Sequence, residues 1–109
     1  MKNIPEVSNF LKAIADPRRL SIIDLLNQYK NPLCVNAIAR KLNISQSAVS
    51  QHLRILKQIG LVEGKREGYH IHYKVDSMKL STYIKKFTKL IVPSNKLQKE
   101  SRPNGCKGK

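Results

Sequence analysis

Apolar residues recur along this chain with two different periods, and the change from one to the other divides it. From Ile4 to Ala15, Val7, Phe10, Leu11 and Ile14 fall at helical spacing and predict a first amphipathic helix, with Pro5 near its start, where a missing amide does no harm. Asp16-Pro17 reads as an N-cap followed by proline at the first helical position, opening a second helix through Leu20, Ile22, Ile23, Leu25 and Leu26. Its wide apolar arc makes it the expected central helix. Asn27 to Leu33, with Asn31-Pro32, reads as a loop. Val35, Ile38, Ala39 and Leu42 then stand at i, i+3, i+4 and i+7, a short helix ending just before Asn43-Ile44-Ser45.

Beyond Gly60 the pattern alternates. Leu61 to Arg66 and Tyr69 to Val75 read as two strands joined through Glu67-Gly68, a β-hairpin. Tyr69, Ile71, Tyr73 and Val75 are expected to point one way, and His70, His72 and Lys74 the other. Leu80, Tyr83, Ile84, Phe87 and Ile91 predict a last amphipathic helix, with Lys79, Lys85, Lys86 and Lys89 on or near its polar side and Pro93 ending it. Ser94 to Lys109 is polar, basic and without periodicity, and is expected to be disordered.

The stretch from Asn43 to Gly60 carries the chemistry. Ser45 is a good N-cap and Gly60 suits the position past a helix C-terminus. Between them Val49, Leu53 and Leu56 fall on one side, and Ser47, Ser50, Gln51, Arg54 and Gln58 on the other. The second side has no large apolar group but offers hydroxyl, amide and guanidinium groups of the kind that bond to base edges and phosphates. A polar outer face alone describes any surface helix. The preceding short helix and three-residue turn, with Asn43 tolerating the left-handed conformation, make the pair a helix-turn-helix whose second helix reads. The basic hairpin that follows, with Lys65 and Arg66 near its turn, suits a wing touching DNA backbone or minor groove. Its charges would otherwise serve only to suppress edge-to-edge aggregation. The fold class expected is mainly α, a winged helix-turn-helix with about five helices and one β-hairpin wing.

With 109 residues the chain is expected to hold one DNA-binding and dimerisation domain, residues 1–92, and a basic tail, 93–109. Lys plus Arg number 21 against 7 Asp plus Glu, a net charge of +14 that favours a polyanionic partner. No apolar run is long enough to suggest a membrane span, and no signal-peptide core opens the chain, so a cytoplasmic location is expected. Two cysteines, Cys34 and Cys106, are too few for a disulfide framework and form no Cys-x-x-Cys pair. No Ser-His-Asp set, glycine-rich phosphate loop or paired acids support an enzyme, and no cofactor is expected.

Three ordered motifs carry a resemblance over roughly residues 7 to 91: Phe10 to Leu20 (FLKAIADPRRL), Ser45 to Leu53 (SQSAVSQHL), and Gly60-Leu61-Val62 with Arg66-Glu67-Gly68 and Tyr73. In these the chain resembles the ArsR/SmtB family of bacterial winged-helix repressors. The resemblance implies a homodimer joined through its first and last helices, two recognition helices in successive major grooves of an imperfect palindromic operator, and release from DNA when an inducer binds. It also points to two metal sites known in relatives, and neither set is complete. One uses Cys-Val-Cys where this chain has Leu33-Cys34-Val35-Asn36; at the other Asp76 stands alone before a lysine-rich helix without histidine. A soft divalent metal wants several thiolate or imidazole ligands, so no metal is expected there.

His52, on the flank of the recognition helix's core side, is expected to be packed or hydrogen-bonded. His70 and His72 could take a metal with outside help, but scattered exposed histidines are the simpler account. Cys34 falls where serine or aspartate would usually cap a helix, and amides and dipole there favour the reactive thiolate. Cys106 could serve as its resolving partner in thiol sensing. The plain alternative is a small half-buried residue and an incidental tail thiol. The leading function is then a sequence-specific DNA-binding regulator, most simply a repressor released by a signal. Gln46 and Ser47 would hold phosphate, Ser50, Gln51 and Arg54 would face bases, and Lys65 and Arg66 would extend from the wing. The alternative is a non-specific basic nucleic-acid-binding protein, architectural or RNA-associated, against which stands the lack of a repeated aromatic platform.

Overall fold

The computed structural model describes residues 3–93. In chain order these form α1 (Ile4–Ile14), α2 (Pro17–Gln28), β1 (Leu33–Cys34), α3 (Val35–Leu42), α4 (Gln46–Gln58), β2 (Val62–Glu67), β3 (His70–Val75) and α5 (Ser77–Ile91). The three strands form one antiparallel sheet in the order β1-β3-β2. Five helices and a hairpin match the expected fold class. The tail after Pro93, with Cys106, lies outside the described residues.

Helix boundaries follow the capping residues. The Asp16 carboxylate accepts from the amides of Arg18 and Arg19 at 2.9 and 3.2 Å, with Pro17 behind it. Asp76, read against a metal site, caps α5 by accepting from Lys79 N at 3.0 Å. α2 touches α1, α3, α4 and β3 and is the central helix its apolar arc predicts. Its Ile22, Ile23, Leu25 and Leu26 are buried, but Leu20 is 53% exposed on the opposite side.

Ile22, Ile38, Val49, Leu53, Leu56 and Leu61 are fully buried and join α2, α3, α4 and the residue before β2 into one core, each contributing about 1.5–3 kcal/mol by burial. At the α1 end Phe10 stacks on Tyr83 of α5, with ring centroids 4.7 Å apart, and the Tyr83 hydroxyl donates to the carbonyl of Ile59 at 2.8 Å. This one tyrosine ties α1, the end of α4 and α5 together.

Three local expectations differ from the structure. Leu33, read as the end of a loop, instead forms a short strand with Cys34, paired with Tyr73 and His72; two residues are too few to show alternation, and only the distant partner makes them extended. The hairpin turns at Gly68-Tyr69, one residue later than read, because Glu67 pairs with His70. Gly68 has φ +66° and Tyr69 a negative φ, the signs of a two-residue II′ turn with glycine first. Tyr69 therefore belongs to the turn rather than to β3 and stands 98% exposed at the tip. His72, grouped above with exposed histidines, is half-buried; its Nδ1 lies 3.5 Å from Glu67 Oε1 and has no hydrogen-bond partner.

Candidate nucleic-acid interface

The reading helix is set by its turn. Asn43 adopts φ 57° and ψ 48°, the left-handed conformation. Ile44 N then donates to Ala39 O at 3.1 Å and Asn43 N to Arg40 O at 3.3 Å, the paired bonds of a Schellman end for α3. Ser45 next caps α4, its Oγ accepting from Ala48 N at 3.1 Å. Between these fixed ends Ile44 packs against the core and sets the angle between α3 and α4.

Val49, Leu53 and Leu56 anchor α4 from behind, which leaves Gln46, Ser47, Ser50, Gln51 and Arg54 together on the exposed side. Among the described residues Arg54 enters no ion pair, so its guanidinium is free for an external acceptor. His52, on the inner flank, is half-buried with Nδ1 3.3 Å from Nη1 of Arg19. Arg19 also donates from Nε to the carbonyl of Ala13 at 2.6 Å, so one side chain fastens the end of α1 to the reading helix. The sequence reading missed this role for Arg19; an arginine in the first turn of a helix gives no sign of partners 6 and 33 residues away.

Around Asp16 the electrostatics are local. The amide of Arg19 holds its carboxyl below the ordinary range, burial opposes this, and the amide of Arg18 adds to the lowering.

The two wing cations are exposed but do not share a face. In register Lys65 lies opposite His72 and Arg66 opposite Ile71, so the strand's alternation puts Arg66 on the side of Ile71 and Tyr73, and Lys65 on the other. That other side carries the Lys74–Glu63 pair at 3.8 Å and the His72–Glu67 contact. Between wing and reading helix lies a groove of 270 Å³ whose lining includes Cys34, Asn36, Ser50, Tyr69 and Ile71. The groove makes wing tip and reading helix one continuous surface. Tyr69 was not singled out from the sequence, although a Gly-X pair between two alternating runs is the signal of this turn.

Cys34 occupies the N-cap position of α3, half-buried, but its thiol makes no capping hydrogen bond. Its expected partner Cys106 lies outside the described residues. Among the described residues no cluster of three or more His, Cys, Asp and Glu could hold a metal, and no helix is long and apolar enough to cross a membrane.

Residues 16–64 match the family described as bacterial regulatory protein, arsR family. In sequence the chain is similar to the transcriptional activator HlyU of Vibrio cholerae, 35% identical over 94 residues that cover 86% of this chain and 85% of HlyU. It is 37% identical to the transcriptional repressor SdpR of Bacillus subtilis over 72% of this chain and 84% of SdpR. The nodulation protein NolR of Rhizobium meliloti is 43% identical over 64% of this chain, which spans only 56% of NolR. In fold the chain superposes on reduced HlyU of V. cholerae with a TM-score of 0.66 at 35% identity, over 84% of this chain and 95% of that one. It also superposes on a homodimeric winged helix-turn-helix DNA-binding domain of Mycobacterium bovis with a TM-score of 0.63 at 32% identity, over 80% of this chain and 83% of that one. With regulators matched along most of its length, in sequence and in fold, the chain belongs to the arsR family of bacterial regulatory proteins and is a DNA-binding transcriptional regulator.

Proposed function

We propose that the chain is a cytoplasmic, homodimeric, sequence-specific repressor that leaves an imperfect palindromic operator when a signal arrives. The observation that carries this reading is the exposed polar side of α4, capped at Ser45, braced by three buried residues and flanked by a basic wing. Ser50, Gln51 and Arg54 face bases, Gln matching adenine and Arg guanine, while Gln46 and Ser47 hold phosphate at the helix N-terminus. Lys65 and Arg66 add wing contacts to the backbone. Residues 1–92 act as the DNA-binding and dimerisation unit, with 93–109 as a basic extension.

Dimerisation is supported by apolar side chains left exposed on α1 and α5, among them Ile4, Ile84 and Ile91. A second copy would cover them and set two reading helices about one helical turn apart, roughly 34 Å. For the signal, the reading carries forward thiol chemistry at Cys34, which lines the groove beside Ser50. Duplex affinity of wild type and Cys34→Ser, before and after mild oxidant or persulfide, tests that part alone.

The main test selects duplexes from a random pool and competes the winner against random duplex at fixed salt. A selected palindrome preferred by about 10³-fold or more supports the reading. Equal competition by random duplex would replace it with non-specific binding driven by the +14 charge.

A further inference from the structure

Where the end of α4 meets α1 and α5, a cleft of 330 Å³ is lined by Glu6, Asn9, Lys57, Gln58, Lys79 and Tyr83, with Ile59 and Gly60 at its edge. Its size is at the lower end of the range that holds small ligands.

The lining has an excess of positive charge. Glu6 is its one carboxylate and is occupied by Lys86 at 2.9 Å. Among the described residues Lys57 and Lys79 enter no ion pair. Three of the carbonyls at the helix end, which would repel an anion, are already engaged: Gly60 N donates to Lys57 O and Leu61 N to Leu56 O, both at 3.0 Å, and the Tyr83 hydroxyl to Ile59 O. Asn9 and Gln58 add amide donors. The Lys79 stem runs across Gly60, where an added side-chain carbon would sit 3.2 Å from Lys79 Cε, and its ammonium lies 5.5 Å from the Tyr83 ring centroid. The cation is thus held at the cleft wall.

On α5 the cleft's lysine is set apart from Ile84 and Ile91, two of the exposed apolar side chains offered to a second copy. At about 100° per residue, Ile84 and Ile91 lie roughly 140° around α5 from Lys79 and Lys86.

We propose that this cleft binds a small oxyanion, a carboxylate or phosphate bridging Lys57 and Lys79, and that its occupancy lowers affinity for duplex DNA. The regulatory half rests on the function proposed above; the binding half does not. An occupant neutralises two cations at the end of the reading helix, reducing the attraction that a polyanion feels. It also joins α4 to α5 by a new bridge beside Gly60, whose φ of +82° marks the bend after the reading helix.

The test titrates the full chain with inorganic phosphate and, separately, citrate, at constant ionic strength set with chloride, following backbone amide shifts. The expected result is saturable binding centred on Ile59, Gly60 and Tyr83. It should weaken about tenfold or more in Lys57→Gln/Lys79→Gln, as two charge-assisted contacts are lost, and stay unchanged in Lys85→Gln/Lys89→Gln, which removes the same charge elsewhere on the surface. A response to phosphate alone assigns a phosphorylated effector, and a response to citrate alone a carboxylate. Non-saturating shifts spread over the surface, or equal titrations of the two double variants, overturn the site. Duplex affinity is then measured with and without the anion. Saturable binding that leaves wild-type duplex affinity unchanged overturns the coupling. A chain that binds no duplex at all refutes the function proposed above, while the titration still decides the site.

Discussion

Gly64→Ala separates local propensity from tertiary packing, because the two predict opposite signs. Glycine inside a strand is normally a weakness, and replacement by alanine at a compatible position stabilises by about 0.4–1 kcal/mol through the unfolded chain. Gly64 sits in mid-β2 opposite Tyr73, and a Cβ there would stand 2.8 Å from Tyr73 Cε1 and 2.9 Å from Ile71 Cγ2. Tyr73 is itself packed against the core, so its ring has little freedom to retreat. Overpacking of this kind costs about 1–3 kcal/mol, leaving a net loss on the order of 1–2 kcal/mol. For a domain of this size that lowers the melting temperature by roughly 5–15 °C. The assay is thermal unfolding by circular dichroism at equal protomer concentration, since any dimer makes the midpoint concentration-dependent. Displacing Tyr73 and Ile71 should also tilt the wing and loosen its ionic contacts, so duplex affinity should fall more at low salt than at high. A midpoint equal to or above that of wild type would show that the wing yields to one methyl group, and the argument from close approach would be wrong.

Arg54→Ala should cut discrimination at particular base pairs by about 1–3 kcal/mol, whereas Lys65→Ala should weaken all duplexes evenly and lower the salt slope by about one. Equal losses of both variants on selected and random duplex would remove Arg54 from base readout. Tyr69→Ala should leave the thermal midpoint unchanged, because the ring is 98% exposed, yet reduce duplex affinity by about 1 kcal/mol if the tip rests on DNA; anisotropy titrations beside melts separate the two. Asp16→Asn keeps a capping acceptor but cannot ionise. Because the folded carboxyl is held below its ordinary value of 3.8, its stabilisation is fully present above that value and is lost as pH falls through the lower folded one. Wild type and Asp16→Asn should therefore differ by a constant amount at neutral pH and converge below about pH 4 in acid unfolding. A gap that widens on acidification would contradict the sign.

What could be read from the sequence was whatever depends on near neighbours. Asp16-Pro17, Asn43 and Ser45 each act on atoms within a few residues, so the start of α2, the turn and the start of α4 follow from residue type alone. The exposed side of α4 was legible because three core residues at helical spacing fix its rotation. β1 was not, since Leu33 and Cys34 are extended only through Tyr73 and His72, far along the chain. The same holds for Arg19 on His52 and for Gly64 under Tyr73. Lys57 and Lys79 belong with these. Each alone looks like a solvated helix charge, and they become two walls of one cleft only because Tyr83, stacked on Phe10 and bonded to Ile59, draws α1, α4 and α5 to one point. Tyr83 fills the core and is also what shapes that cleft. A cavity at this ring, as in Tyr83→Leu, should therefore disturb anion binding and stability together, whereas Tyr83→Phe keeps the stack and releases only the end of the reading helix.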